Sequence, residues 1–243
     1  DLVSREGPPP PPLGVPIRQP IAPVAAFEPA AEPIAPAAPP PALEWPQEFP
    51  RSGSRQAAFQ SLLATWGLVY EGGSACEFAQ QQGLECLYRR GSLGVLRLLD
   101  RPAVLTLVDA NREEFHATLV GLSDQLATFF LNGQQIQVPV QELEDRWLGE
   151  FTLLWRRPPF QGLLRPGDRG PAIDWLNRQL ATVLAQAEPP RGRPLEGATL
   201  ARLREFQRTR GLDPDGLAGP VTLIHLDSAL GGGSPRLAPT GGS

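Results

Sequence analysis

The chain has 243 residues, a net charge of −4 and 22 basic residues, all of them arginine. The absence of lysine excludes Schiff-base catalysis and the phosphate-loop lysine of nucleotide-binding proteins, and a count of only two histidines excludes a multi-histidine metal site. Because the net charge is negative, the chain has no overall positive field for nucleic acid. We therefore expect no nucleic-acid partner, and no cofactor.

Proline and alanine dominate the first part of the chain, where residues 1–50 hold 16 of the 29 prolines. Such a segment buries too little apolar surface to offset the entropy of ordering it. We therefore predict a disordered or polyproline-like linker over residues 1–50. The sequence contains no run of 18 apolar residues, so no membrane span is predicted within it. Since the chain also contains no methionine, we expect it to be part of a longer protein whose leader or anchor precedes Asp1.

Residues 51–157 combine helical and strand patterns. Apolar spacing and turn residues predict helices and strands that share one domain. The predicted helices cover residues 57–66, 75–82, 92–98 and 141–145. The predicted strands cover residues 84–88, 103–108, 115–122, 126–131, 134–138 and 151–155. Asn132-Gly133 predicts a tight hairpin, and helices followed by an antiparallel sheet indicate an α+β domain.

The chain has two cysteines, Cys76 and Cys86, and both lie in this domain. Their spacing does not fit a zinc-binding pair. The chain turns back after Gly83, so the two sulfur atoms can meet, and a disulfide would stabilise the fold by roughly 3 kcal/mol in an oxidising compartment. Two buried free thiols are one alternative to the disulfide, and a catalytic cysteine is another.

The catalytic alternative depends on the order of two residues. Cys76 opens a predicted helix and His116 starts a later strand, and in this order the region resembles the peptidase C39-like family. The resemblance implies Cys76 as nucleophile and His116 as base. However, Glu77 follows Cys76 where the family has glycine, the family's upstream glutamine is missing, and no acid follows the histidine strand to orient His116. We therefore predict a degenerate papain/C39-like domain that is inactive.

Residues 160–230 show helical periodicity in three runs, separated from the strands by Pro158-Pro159. Ile173 and Leu176 belong to the first run and Phe206 to the second, while Pro220 begins the third. We predict a small all-α domain of three helices. The glycine-rich, serine-rich and proline-rich residues 231–243 predict a flexible tail.

The three-helix pattern closely resembles the peptidoglycan-binding domain 1 family. The resemblance is carried by turn glycines, apolar core positions and a few polar residues: Gly167, Asp168, Gly170, Ile173, Leu176, Leu203, Phe206, Gln207, Gly211, Leu212, Asp215, Gly216, Gly219, Thr222 and Leu223. It implies a binding fold. For ligand contact we predict Arg169 toward a carboxylate, Trp175 as a stacking surface, and Gln207 and Asp215 toward amides. Alternatively, Asp215 accepts hydrogen bonds inside its own turn.

Linker, C39-like domain and peptidoglycan-binding module follow one another as in the periplasmic part of the type II secretion family GspA, also called ExeA. The segments Asp100-Arg101-Pro102-Ala103-Val104 and Trp147 to Trp155 add to this resemblance, which spans residues 55–230. It implies a periplasmic location within a single-pass inner-membrane protein whose membrane helix is upstream. It also implies peptidoglycan and a GspB-type inner-membrane protein as partners, and leaves self-association open.

The family resemblance favours a scaffold without enzymatic activity. Family members carry a cytoplasmic AAA+ ATPase domain, and this chain lacks a phosphate-binding loop. We therefore expect a periplasmic peptidoglycan-binding scaffold that assists passage or assembly of the secretin across the cell wall. The alternative function is a cell-wall amidase or endopeptidase that uses Cys76 and His116.

Overall fold

The computed structural model describes residues 42–239. Residues 1–41 of the predicted linker and residues 240–243 of the predicted tail lie outside the described residues. A 3-10 turn, Arg51–Gly53, precedes the first α-helix. The helices are α1 (Ser54–Thr65), α2 (Ala75–Gln81), α3 (Leu93–Leu99), α4 (Val140–Arg146), α5 (Pro171–Val183), α6 (Gly197–Thr209) and α7 (Pro220–Ala229).

Six strands form one antiparallel sheet. They are β1 (Leu84–Arg90), β2 (Ala103–Val108), β3 (Glu114–Leu122), β4 (Leu126–Leu131), β5 (Gln134–Pro139) and β6 (Trp147–Arg156). Their order in the sheet is β1-β6-β2-β3-β4-β5, so β1 and β5 are the edge strands. Asn132 and Gly133 both have positive φ, at 47° and 79°, which is the conformation of a two-residue hairpin turn. The predicted α+β fold is confirmed.

Each face of the sheet buries its own apolar cluster, because alternate residues of a strand point to opposite faces. One face packs against α1 and α2, where Phe59, Leu62 and Leu63 meet Val104 and Leu154. The other face carries a larger cluster that includes side chains of β2, β3, β4 and β6 together with α3, α4 and the three C-terminal helices. We call residues 42–157 the sheet region and residues 160–230 the helical module. The module consists of α5, α6 and α7 with one isolated bridge between Leu164 and Ala218.

Arg101 connects the sheet region to the helical module. Its side chain is 2% exposed, and its guanidinium donates to Asp227 Oδ2 at 3.1 Å and to Ser228 Oγ at 2.7 Å, both on α7. It also donates to the carbonyl oxygen of Ile224 at 3.4 Å. Burial lowers the pKa of Arg101, and the nearby Asp227 charge opposes that shift. These contacts link the two parts of the chain, and loss of Asp227 would leave a buried cation without its charged partner.

Two predicted boundaries are wrong. The predicted linker ends too late, because Leu43 and Trp45 are buried in the larger apolar cluster. The Trp45 ring lies 6.4 Å from the Phe115 ring, centroid to centroid. The predicted flexible tail begins too early, because the main-chain N–H of Ala238 donates to Val120 O at 2.8 Å. Buried apolar side chains thus dock the proline-rich flank on the sheet region, and a main-chain hydrogen bond docks the glycine-rich flank.

Candidate functional site

The structure joins Cys76 of α2 to Cys86 of β1 in the predicted disulfide. Ser74 caps α2 by accepting a hydrogen bond from the main-chain N–H of Glu77, which places Cys76 in the first turn of the helix. A disulfide sulfur has no thiolate to act as a nucleophile. Cys76 and His116 also line different cavities. The predicted alternative pair of Cys76 and His116 is therefore not formed.

His116 instead meets Ser54, which the sequence analysis did not identify. Ser54 Oγ lies 3.4 Å from His116 Nδ1 and accepts a hydrogen bond from the main-chain N–H of His116 at 3.2 Å. Ser54 begins α1, so a hydroxyl at a helix start faces a histidine on a strand, in the order that the sequence analysis assigned to Cys76. The signal in the sequence that could have identified Ser54 is its position after Gly53 and directly before the apolar helical run, where a helix is expected to start.

The Ser54–His116 pair lacks two features of a catalytic pair. Ser54 is 3% exposed, so its hydroxyl is closed to a substrate. Within residues 42–239, no carboxylate accepts a hydrogen bond from the His116 ring to orient it. Burial lowers the pKa of His116, and the Arg55 charge lowers it further. The neutral imidazole is therefore favoured at neutral pH.

An open cavity of about 260 Å³ adjoins His116 on the α1 face of the sheet. It is polar for its size, because Glu114, Glu150, Tyr88 and Arg55 line it together with His116. Arg55 also lines a neighbouring cavity of about 540 Å³ that contains Cys76. In the part of the chain that the structure describes, no cluster of three or more acidic, histidine or cysteine side chains is arranged to hold a metal ion.

In the helical module, Arg169 and Trp175 are available to a ligand. Arg169 is exposed, and among residues 42–239 no hydrogen bond or ion pair engages its guanidinium. Trp175 on α5 is half-buried. Its ring meets Phe160 edge to face, with centroids 5.3 Å apart. Phe160, a residue that the sequence analysis missed, also lines a cavity of about 390 Å³ between the helical module and Trp155 of the sheet region.

Gln207 does not face a ligand, so its prediction as a binding residue is wrong. Its side chain is 1% exposed, and its amide is fully engaged inside the module. Nε2 donates to Asp215 Oδ1, Leu217 O and Thr222 Oγ1, and Oε1 accepts from the main-chain N–H of Gly216 at 3.0 Å. These bonds fix the loop between α6 and α7. The physical reason for the error is that the partners come from a loop whose path the sequence does not reveal.

Asp215 has the internal role that its turn position suggested, and its contact with a ligand stays a prediction. Its Oδ1 accepts from Gln207 and from the main-chain N–H of Leu217 at 2.8 Å, which is the internal role of a turn aspartate. The residue is nevertheless exposed, and its Oδ2 has no hydrogen-bond partner within the described residues. Within residues 42–239, the guanidinium of Arg169 and Oδ2 of Asp215 thus have no hydrogen-bond partner, while Trp175 is half-buried against Phe160.

Comparison with known proteins gives matches that cover most of the chain. The chain is 36% identical over 183 residues to general secretion pathway protein A of Aeromonas hydrophila. This match covers 74% of this chain and 33% of that protein. The chain therefore spans about a third of the length of this relative. No protein-family model matches the chain, so the resemblance of residues 160–230 to peptidoglycan-binding domains stays a prediction.

Two solved structures resemble the chain. A periplasmic domain of the EpsAB fusion protein of the Vibrio vulnificus type II secretion system superimposes with a TM-score of 0.50 and 26% identity, over 74% of this chain and 81% of that one. The peptidase C39-like domain of a toxin secretion ATP-binding protein from Vibrio parahaemolyticus gives a TM-score of 0.36 and 16% identity, over 43% of this chain and 97% of that one.

Proposed function

The resemblance to the periplasmic region of general secretion pathway protein A is confirmed, and from it we propose that this chain is a periplasmic component of a type II secretion system. The observation that carries the proposal is 36% identity sustained over 183 residues. Superposition on a periplasmic domain of a type II secretion protein supports the location. The Cys76–Cys86 disulfide supports it as well, because disulfides persist in oxidising compartments such as the periplasm.

Within that role, the helical module holds peptidoglycan. Arg169 has a free guanidinium for a stem-peptide carboxylate, Trp175 offers part of an indole face to a sugar ring, and Asp215 Oδ2 is free to accept from an amide. These groups lie on a module whose loop is fixed internally by Gln207, so little ordering is needed on binding. The division into an N-terminal linker that ends before Leu43, a C39-like domain (51–157) and a binding module (160–230) belongs to the same proposal.

The sheet region serves as a non-catalytic surface for a partner protein. Cys76 is held in the disulfide and Ser54 is buried against His116, so neither hydroxyl nor thiol is presented to a substrate. The partner is a GspB-type inner-membrane protein. The name of the solved relative, an EpsAB fusion protein, supports pairing of an A component with a B component. Together they assist the passage or assembly of the secretin across the cell wall.

In the longer protein, a membrane anchor precedes the linker. Within residues 42–239, no helix is both long enough and apolar enough to cross a bilayer.

Retention on purified peptidoglycan sacculi tests the binding proposal. We expect Arg169→Ala with Trp175→Ala to weaken retention about tenfold, the size expected for losing a charge-assisted hydrogen bond and a stacking contact. Arg208→Ala is the matched control, because Arg208 is exposed on α6 and its substitution removes the same charge as Arg169→Ala. Equal retention of wild type, control and double variant would contradict the assigned residues, and no retention of the wild type would contradict peptidoglycan binding itself.

A further inference from the structure

The two edge strands of the sheet are protected to different degrees. β1 carries Glu85, Arg89 and Arg90, and the disulfide anchors α2 on it. The opposite edge, β5, reads Gln134-Gln135-Ile136-Gln137-Val138-Pro139 and contains no charged residue. Charged side chains and covering helices normally keep a sheet edge from pairing with another strand. β5 has neither device over its first five residues, and only Pro139 at its end interrupts an added strand.

The hairpin register determines which main-chain groups of β5 face outward. Leu131 and Gln134 close the two-residue turn and form a hydrogen-bonded pair. Hydrogen-bonded and non-hydrogen-bonded pairs then alternate along the ladder, so Ile136 bonds to β4 while Gln135 and Gln137 direct their N–H and C=O groups away from it. Within residues 42–239, no hydrogen bond from outside the sheet reaches the main chain of Gln135 or Gln137.

We infer that β5 pairs antiparallel with β5 of a second copy of this chain, about a two-fold axis at Ile136. In that register, Gln135 lies opposite Gln137 of the second copy, and Gln137 lies opposite Gln135. Each of these pairs exchanges both N–H···O bonds, as residues in a hydrogen-bonded antiparallel pair do. Ile136 meets Ile136 of the second copy on the same face of the enlarged sheet.

The sequence of β5 fits a second copy because it is symmetric about Ile136. Gln-Ile-Gln reads the same in both directions, so an antiparallel self-pair brings no unlike or repelling side chains together. The turn at Gly133 limits the pairing on one side. Pro139 limits it on the other, because proline has no N–H to donate. The register with Ile136 on the axis therefore uses the outward N–H and C=O groups of both Gln135 and Gln137.

Pairing would join two helical modules in one particle. A single exposed binding surface retains a polymer weakly, while two linked surfaces raise the effective concentration at the second site. This consequence rests on the proposed binding of peptidoglycan, but the pairing itself does not. It is measured in the absence of peptidoglycan, so failure of one proposal is distinguishable from failure of the other.

Sedimentation equilibrium of the full chain over a range of concentrations tests the pairing. We expect a monomer–dimer equilibrium for the wild type. In Gln135→Glu with Gln137→Glu, two carboxylates lie opposite each other twice, and we expect the association constant to fall about tenfold or more. In Gln135→Glu with Gln137→Arg, each glutamate faces an arginine of the second copy, and association returns to at least the wild-type level.

Two further samples make the test decisive. Gln47→Glu with Gln161→Glu adds the same two charges at exposed positions away from β5 and should leave the dimer unchanged. Far-ultraviolet circular dichroism confirms that each variant is folded. A wild type that stays monomeric at about 1 mM, where even weak pairing is populated, overturns the inference. Persistence of the dimer in the double-glutamate variant, or failure of the glutamate–arginine variant to restore it, overturns it too.

Discussion

The sheet region and the helical module each contain a buried polar cluster that resembles a functional site in the sequence. In the helical module, Gln207 gathers Asp215, Leu217 and Thr222 around one amide. In the sheet region, Ser54 and His116 meet across two elements. Both clusters use their hydrogen bonds inside the protein. The comparison teaches that a polar motif residue is a candidate for ligand contact only where hydrogen-bonding capacity is left over, as at Arg169.

The two clusters differ in how much of the fold depends on them. Gln207 is 1% exposed, and its Oε1 is the acceptor for the main-chain N–H of Gly216, which has no other hydrogen-bond partner within residues 42–239. His116 is only partly buried and borders an open cavity of about 260 Å³. Water can therefore reach part of the sheet-region cluster and replace a lost bond. We expect the helical module to be the more sensitive of the two to loss of its polar centre.

Of the variants that test this comparison, the replacement of Gln207 should have the largest effect on stability. Gln207→Ala leaves the main-chain N–H of Gly216 without its acceptor in a buried site and removes one of the two hydrogen bonds of the Thr222 hydroxyl. We expect the free energy of unfolding to fall by about 3 kcal/mol. Urea denaturation followed by tryptophan fluorescence measures it. Gln179→Ala on α5 makes no such loss and should change stability by less than about 0.5 kcal/mol.

A second readout separates this structural role from ligand binding. At a temperature where Gln207→Ala is still folded, its retention on sacculi should fall less than that of the Arg169 and Trp175 variant, because only the loop that carries Asp215 is loosened. If Gln207→Ala is as stable as the wild type but loses retention, the amide faces the ligand after all.

Local patterns predicted the fold better than the site. The Asn132-Gly133 hairpin and the helices of the module follow from neighbouring residues, so the sequence alone revealed them. Ser54 and His116 are 62 positions apart, and their meeting depends on how α1 packs on β3. The burial of Trp45 was hidden in the same way, because its partner Phe115 is distant in sequence and Trp45 lies in a proline-rich segment.

Ser54→Ala is the corresponding test in the sheet region, with a smaller expected effect. It removes the acceptor for the main-chain N–H of His116, and we expect a loss of about 1 kcal/mol in the free energy of unfolding. Ser61→Ala is the control on the same helix, because the Ser61 hydroxyl only donates back to Ala57 O of its own helix. A loss for Ser54→Ala that equals or exceeds the loss for Gln207→Ala would reverse the ranking of the two regions.

The pH dependence of stability also compares the two regions, and it has the smallest expected effect of these tests. Burial lowers the pKa of both His116 and His225, and nearby arginines lower it further: Arg55 at His116, and Arg210 and Arg101 at His225. The folded state therefore prefers both imidazoles neutral. Their contribution to stability is complete above the ordinary histidine pKa of about 6.5, and it is lost as the pH falls through the lowered folded values.

The two histidines should contribute unequally to that loss. Glu114 and Glu150 oppose the lowering of the pKa at His116, whereas at His225 Asp100 opposes it and a third arginine, Arg236, adds to it. His225 Nε2 is also buried without a hydrogen-bond partner among the described residues. Urea midpoints at pH 7 and pH 5 measure the difference. His225→Gln should reduce the drop between these two pH values more than His116→Gln does, because protonating His225 adds a charge beside the buried Arg101. If His116→Gln reduces the drop in the urea midpoint more than His225→Gln does, the main pH-sensitive group lies in the sheet region instead.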